Sequence, residues 1–133
     1  MIETLDEIRE EAARRLARAA SDRRSPMHTP VVATADADTR VMVLRAFEPW
    51  SLRFHTDRRA PKVAVIEDDP RIGVLLYDKS EKVQIRLRGT ARIERDWPTV
   101  QAAWEAGDNF ARRCYLGDGP GTLSDLSLIH ISE

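Results

Sequence analysis

The chain has 133 residues, 42% of them hydrophobic, which is enough for one domain with its own core and too few for two. Its formal net charge of −1, from 21 basic and 22 acidic residues, excludes recruitment of nucleic acid by an overall positive field. The single cysteine, Cys114, excludes an internal disulfide. The sequence shows no secretion signal, and its apolar runs are far shorter than the roughly 18 residues of a membrane span. We therefore expect a cytoplasmic protein without a membrane partner.

The first predicted element is a helix close to the N-terminus. Apolar residues recur there at spacings of three and four: Leu5, Ile8, Ala12, Leu16 and Ala19. Thr4, followed three residues later by Glu7, is typical of a capping box. Residues 21–30 contain two prolines and little apolar content, so we expect a connector.

Extended segments follow the connector. Strands are predicted at residues 31–35, 40–47 and 51–56, and the short links between them favour antiparallel neighbours. A short helix is predicted at residues 60–67, because Pro61 suits a first helical turn and Asp69-Pro70 ends the segment.

The second half of the predicted sheet consists of two longer strands. Residues 71–77 are nearly all apolar, which predicts burial on both faces, and residues 83–93 alternate apolar with polar side chains. Gly89 predicts a bulge or sharp bend that closes a barrel. Further helices are predicted at residues 98–106 and 109–115. The fold class is therefore α+β, mainly β: an antiparallel barrel with flanking short helices.

The end of the chain does not continue this pattern. Residues 122–133 are interpreted as a truncated or non-native tail of the single domain, and the alternative is a short final strand at residues 126–131. His28, His55 and His130 lie far apart without ligand spacing, so no metal site is predicted.

Cations gather at the start of the short helix. Arg58, Arg59 and Lys62 lie where the helix dipole is positive and backbone N–H groups lack partners, an arrangement that favours a bound phosphate. The alternative is that these side chains pair with neighbouring carboxylates: Asp57, Glu67 or Asp68. Arg40 and Arg45 are five residues apart, so strand alternation predicts opposite faces unless a bulge intervenes.

Four segments follow one another in register along the chain: Arg40-Val41-Met42-Val43-Leu44-Arg45, Phe54-His55-Thr56-Asp57, Arg59-Ala60-Pro61-Lys62, and Gln84-Ile85-Arg86 with Gly89. Together they resemble the flavin-binding region of the pyridoxamine 5′-phosphate oxidase family. The resemblance implies a split β-barrel homodimer with FMN at the subunit interface. It also implies that the flavin carries out redox chemistry on a small-molecule substrate.

The resemblance further implies a role for each matching residue. Arg40 and Lys62 would hold the FMN phosphate, assisted by Arg59. The isoalloxazine ring would be lined by backbone groups of Val41, Met42 and Val43 and by the pair His55 and Thr56. Gln84 would hydrogen-bond the flavin with Arg86 on the same face, and Arg45 would reach the substrate as well. No catalytic acid or base is predicted among the side chains.

Three alternatives accompany the prediction of an FMN-dependent oxidoreductase. The first is a non-catalytic flavin-binding or storage module, and the second is a relative that binds a deazaflavin or haem on the same barrel. The third is a barrel that binds single-stranded nucleic acid along Arg86, Arg88 and Arg92. Only 6% of the residues are aromatic, which makes base stacking weak and argues against nucleic acid.

Overall fold

The computed structural model describes residues 4–57, 59–94 and, as backbone, 126–132. These residues form two α-helices, α1 (Leu5–Ser21) and α2 (Pro61–Asp68), and a 3₁₀ turn at Pro26–His28. The strands are β1 (Val31–Thr34), β2 (Thr39–Val41), β3 (Leu44–Glu48), β4 (Ser51–Asp57), β5 (Arg71–Asp78), β6 (Val83–Glu94) and β7 (Leu126–Ser132). The described residues are thus mainly β with two helices, which confirms the predicted mainly β class. The predicted helices at 98–106 and 109–115 lie outside the described residues.

Helix α1 begins at the predicted cap. The Glu7 amide donates to Thr4 Oγ1 at 3.1 Å, a contact that stabilises a helix by about 1 kcal/mol. Leu16 and Ala19 are fully buried, whereas the Leu5 side chain is 84% exposed. The second half of the helix therefore supplies the packing face, which lies against β3. Neither described helix combines the length and apolarity that a bilayer crossing requires.

The strands form one antiparallel sheet in the order β2-β1-β5-β6-β7-β4-β3. The predicted antiparallel pairs β1–β2 and β3–β4 are confirmed. β7 lies between β4 and β6, which agrees with the alternative prediction of a short final strand at residues 126–131. The non-native origin of residues 122–133 stays a prediction.

The predicted strand at residues 40–47 is wrong, because it is two strands at opposite edges of the sheet. β2 ends at Val41 and β3 begins at Leu44. The Met42 amide donates to Pro30 O at 3.0 Å, and the Met42 side chain is buried in the core. Three peptide units span roughly 10 Å, so the sheet must curl to bring its edges this close.

The curled sheet is not closed. Among the described residues no ladder joins β2 to β3, which leaves a gap where these two edges approach each other. The predicted barrel is therefore observed as an open, curled antiparallel sheet. The gap is crossed by Met42 and Val43, and this crossing positions the site described below.

The prediction that β5 is buried on both faces is wrong. Ile72, Val74 and Leu76 are buried, but Leu75 is 38% exposed and Tyr77 is 48% exposed. The strand alternates because only one face of this antiparallel sheet is covered within the described chain. The other face carries an apolar surface.

Of the two alternatives predicted at Gly89, the bulge is wrong, and the sharp bend stays a prediction. The β5–β6 ladder runs without interruption from Asp78 opposite Val83 to Arg71 opposite Thr90, and Gly89 pairs with Ile72 inside it. The length of β6 has another cause: from Thr90 onward the strand also pairs with β7. The predicted alternation of β6 is confirmed, with Ile85 buried and Gln84, Arg86 and Arg88 exposed.

The core lies between the inner face of the sheet and the two helices. Burying one Leu or Phe side chain contributes roughly 1.5–3 kcal/mol, so these residues dominate the stability of the fold. The largest side chains that are almost completely buried are Phe54, Leu16, Leu44, Leu52, Leu76, Val32 and Val63.

Candidate functional site

A pocket of about 390 Å³ opens where the β2–β3 crossing meets β4 and the start of α2. Its volume falls in the usual range for small-molecule sites, roughly 300–1,000 Å³. It is lined by Arg40, Val41, Met42, Val43, Arg45, His55, Thr56, Asp57, Ala60 and Lys62. Most of the predicted site residues therefore meet at one place, although three separate segments supply them.

Arg40 is held in a fixed orientation on β2. Its Nη1 donates to Thr34 Oγ1 at 2.9 Å, and its Nη2 lies 3.0 Å from Asp38 Oδ2. Thr34 Oγ1 in turn donates to Asp36 Oδ1 at 2.5 Å. The β1–β2 turn thus orients the guanidinium that reaches the pocket. Thr34 and Asp38 were not predicted as site residues, and only the turn pattern at 36–38 pointed to them.

Lys62 provides the second cation, in the first turn of α2. The helix begins at Pro61, and Ala60 in the capping position offers no side-chain acceptor to the backbone N–H groups. Burial and the nearby Arg40 lower the pKa of the Lys62 ammonium, and Asp57 opposes them. A bound anion would offset the repulsion between Lys62 and Arg40 and would meet the positive end of the helix.

Arg59 contacts Asp57, and it is not among the residues that line the pocket. Its Nη2 is 3.1 Å from Asp57 Oδ2, and its Nε donates to both carboxylate oxygens at 3.3 Å. Burial opposes ionisation of Asp57, but the hydrogen bonds and charge of Arg59 outweigh it and lower the pKa of the carboxyl. The alternative of carboxylate pairing is observed for Arg59, and its contact with a phosphate stays a prediction.

Arg45 lines the same pocket as Arg40, so the predicted separation onto opposite faces is wrong. The β3–β4 ladder pairs Leu44 with Phe54 and then Ala46 with Arg53, and it leaves Arg45 as the extra residue of a bulge. The break between β2 and β3 precedes this bulge. Together the break and the bulge interrupt the strand alternation on which the prediction depended.

His55 is 7% exposed and lies in the wall of the pocket. Burial, followed by the charges of Arg45 and Arg53, lowers the pKa of its imidazole to about 4. The ring is therefore neutral at pH 7, and it can donate or accept a hydrogen bond without carrying a charge. Thr56, which is also buried, follows it in the lining. Asp57 lines the pocket too; it ends the quoted Phe54-His55-Thr56-Asp57 segment but was predicted only as a partner for the neighbouring cations.

Gln84 and Arg86 do not line this pocket. They lie on the outer face of β6, where Gln84 is opposite Tyr77 and Arg86 is opposite Leu75. Arg86 borders a separate groove over β1, β5 and β6. Because β1 and β5 lie between β2 and β6 in the sheet, the structure divides the predicted residues into two patches.

Known proteins resemble this chain in sequence family and in fold. The family model described as the pyridoxamine 5′-phosphate oxidase FMN-binding domain matches residues 10–95. General Stress Protein 26 from Bacillus anthracis strain Sterne has a similar structure, with 24% identity over 92% of this chain and 88% of that chain and a TM-score of 0.66. No curated protein matches the chain.

Two further solved structures share the fold. A pyridoxamine 5′-phosphate oxidase-related FMN-binding protein from Nostoc punctiforme PCC 73102 is 22% identical over 93% of this chain and 78% of that chain, with a TM-score of 0.71. An F420 reductase is 17% identical over 81% of this chain and 86% of that chain, with a TM-score of 0.57.

Proposed function

The chain belongs to the family of pyridoxamine 5′-phosphate oxidase FMN-binding domains, and from this membership we propose that it is an FMN-binding flavoprotein that acts as an oxidoreductase on a small molecule. The matched residues 10–95 include the whole lining of the pocket. One observation carries the proposal: Arg40 and the half-buried Lys62 line one pocket beside a helix start, where burial and the charge of Arg40 lower the pKa of the Lys62 ammonium.

The residues of the pocket fit the parts of FMN. Arg40, Lys62 and the N-terminal backbone of α2 form the cationic end that suits a phosphate. His55 and Thr56 supply neutral hydrogen-bonding groups for the ring, next to the backbone of Val43. The Met42 amide already donates a hydrogen bond to Pro30 O, so we leave this amide out of the backbone groups of residues 41–43 that are proposed to contact the ring.

Bound FMN would supply hydride or electron transfer, and the protein supplies orientation and electrostatics. Arg40 and Lys62 fix the phosphate end, which anchors the ligand in the pocket. His55 stays neutral and therefore places no imidazolium charge beside the ring. No described side chain in the pocket is assigned as a general acid or base.

We further propose that the working unit is a homodimer in which two curled sheets form split barrels and share the flavin sites. Gln84 and Arg86 lie outside the pocket, on a face that also exposes Leu75, Tyr77 and, on β2, Val41 at 64%. A two-fold axis presents this one face twice. A second copy on it would cover the apolar side chains and bring Gln84 and Arg86 toward the pocket of its partner.

The test is a titration of the purified chain with FMN, riboflavin and F420, followed by visible absorption and fluorescence. We expect saturable FMN binding that is tighter than riboflavin binding, because riboflavin lacks the phosphate. Tighter binding of F420 than of FMN would favour a deazaflavin protein instead. Reduction of bound FMN by NADH or NADPH faster than free FMN would support an oxidoreductase, and equal rates would support a non-catalytic flavin module.

A further inference from the structure

Arg40, Arg59 and Arg71 each pair with a carboxylate two residues earlier, but they do so with different parts of the guanidinium. In Arg59 and Arg71 both Nε and Nη2 donate to that carboxylate, with Nε–O distances of 3.3 and 3.0 Å and Nη2–O distances of 3.1 and 2.6 Å. Arg40 meets Asp38 through Nη2 alone, at 3.0 Å, and its Nε makes no hydrogen bond within the described residues. The Nε–H of Arg40, together with the second N–H of Nη2, is therefore left for another acceptor.

Thr34 accounts for this difference. Arg40 Nη1 donates to Thr34 Oγ1 at 2.9 Å and lies 3.4 Å from the carbonyl oxygen of Val32, and both acceptors belong to β1. A guanidinium is planar and its N–H donors point in fixed directions, so holding Nη1 on β1 and Nη2 on Asp38 also fixes the direction of Nε–H. In this orientation Asp38 is reached by the far end of the guanidinium and not by its Nε edge.

The Thr34 hydroxyl is itself held as an acceptor for Arg40. Thr34 is 5% exposed, and an arginine can only donate, so the hydroxyl oxygen accepts from Arg40 and directs its own proton elsewhere. That proton goes to Asp36 Oδ1 at 2.5 Å, and this hydrogen bond lowers the pKa of the Asp36 carboxyl, so the carboxylate stays ionised at pH 7. The orientation of Arg40 is therefore imposed on it by β1 and the β1–β2 turn.

We propose that Thr34 is a positioning residue that gives the pocket its specificity for a phosphorylated ligand: it holds Nη1 of Arg40, so that the Nε edge stays open to a phosphate monoester and does not close on Asp38. Nε–H and Nη2–H then point side by side at two phosphate oxygens, the bidentate arrangement that suits a guanidinium and an oxyanion. That Arg40 contacts a phosphate rests on the proposed function, and the role of Thr34 goes beyond it.

The proposal implies a competition between the phosphate and Asp38 for one edge of Arg40. Without the Thr34 hydroxyl, Arg40 can turn Nε and Nη2 together toward Asp38, in the arrangement that Arg59 and Arg71 show. A carboxylate in that position would neutralise the guanidinium and block its contact with the ligand. The effect of Thr34 on phosphate binding should therefore depend on the charge of Asp38.

The experiment is a fluorescence titration of FMN and riboflavin with the unaltered chain and three variants. Thr34→Val keeps the shape of the side chain without the hydroxyl, so it should weaken FMN binding about tenfold, the equivalent of one charge-assisted contact, and leave riboflavin binding unchanged. Thr34→Ser keeps the hydroxyl and should retain the FMN affinity. Adding Asp38→Asn to Thr34→Val should restore most of the lost affinity, because the competing charge is gone.

Two controls separate this role from a general effect on the fold. Thr29→Val, at an exposed threonine outside the pocket lining, is the matched control and should change neither affinity. In the Arg40→Ala background, Thr34→Val should cause no further loss of FMN affinity, since the two residues act through one contact.

An FMN-to-riboflavin affinity ratio that Thr34→Val leaves unchanged, a loss that Asp38→Asn does not reverse, or a further loss in the Arg40→Ala background overturns the role of Thr34. Circular dichroism checks the fold; should Thr34→Val unfold, the Arg40 Nε–H resonance of the unaltered chain replaces it and must shift with FMN but not with riboflavin. An unaltered chain that binds FMN no more tightly than riboflavin overturns the proposed function and this inference with it. A preference for FMN that does not depend on Thr34 overturns the inference alone.

Discussion

At the scale of single residues, the pocket is defined by which charges have partners. Arg40 is oriented by Thr34 and Asp38, yet it still opposes ionisation of Lys62. Arg59 is balanced by Asp57. The proposed phosphate-binding pair, Arg40 and Lys62, therefore differs from Arg59 in that its two charges act on each other within the pocket lining.

Replacing Arg40 or Lys62 by Ala tests the phosphate end. Each change removes a charge-assisted contact worth roughly 1.5–3 kcal/mol, so FMN affinity should fall about ten- to a hundred-fold. Riboflavin affinity should change far less, because riboflavin has no phosphate. Fluorescence titration measures both dissociation constants, with Arg71→Ala as the control. Equal losses for the two flavins would place the phosphate elsewhere.

The titration of His55 predicts a pH dependence of stability. Its pKa is 6.5 when exposed and about 4 in the fold. As pH falls from 6.5 toward 4 the unfolded chain takes up a proton that the folded chain does not, so folding loses about 3 kcal/mol over this window and nothing above it.

Urea unfolding of the chain and of His55→Gln at pH 7 and pH 4.5 isolates this contribution. The variant cannot titrate at this position, so its stability should fall less steeply with acid. All other titrating groups are common to both proteins, so their contributions to the pH dependence of stability cancel in the comparison. Parallel pH dependences would show that His55 takes up protons equally in the folded and unfolded states.

At the scale of elements, the two ends of α1 have different roles. Leu16 is completely buried against the sheet, whereas Leu5 is mostly exposed, although both belong to one apolar stripe in the sequence. The C-terminal half of the helix therefore stabilises the core, and the N-terminal half contributes chiefly its cap.

This asymmetry predicts that the same Leu→Ala substitution lowers the free energy of unfolding by different amounts at the two ends of α1. Leu16→Ala should lower the free energy of unfolding by about 2–5 kcal/mol, because it leaves a cavity in the core. Leu5→Ala should change it by less than about 0.5 kcal/mol, as is usual for exposed positions. Chemical denaturation measures both, and a large loss for Leu5→Ala would mean that the N-terminal half is packed in solution.

At the scale of the whole molecule, the outer face of β5 and β6 exposes apolar side chains within the described part of the chain. Leu75 and Tyr77 are exposed beside the predicted flavin residues Gln84 and Arg86. Exposed apolar area next to functional side chains is typical of an interface.

Tyr77→Asp tests the proposed dimer. A charge buried at a two-fold interface appears twice, so we expect dissociation to monomers at micromolar concentration, measured by light scattering. FMN affinity should fall with it, because the partner's face leaves the pocket. Ala17→Glu, on the exposed side of α1, is the control and should leave the dimer intact. A Tyr77→Asp protein that is dimeric with unchanged FMN affinity would contradict the shared site.

The sequence alone determined the parts of this protein that depend on local physics. The cap of α1, the start of α2 at Pro61 and the alternation of β6 follow from neighbouring residues, and they were predicted within one or two positions. The grouping of Arg40 with Lys62 came from the resemblance of whole segments. It required no knowledge of the sheet order.

Only the tertiary structure decided the features that depend on distant strands. The break after Val41 places β2 and β3 at opposite edges, and the bulge at Arg45 turns that arginine into the pocket. Gln84, on β6, is separated from β2 by β1 and β5 and from β4 by β7. Side-chain alternation is set within one strand, whereas bulges, edges and strand order are set by hydrogen-bonding partners far away in the chain, and these decide which residues meet.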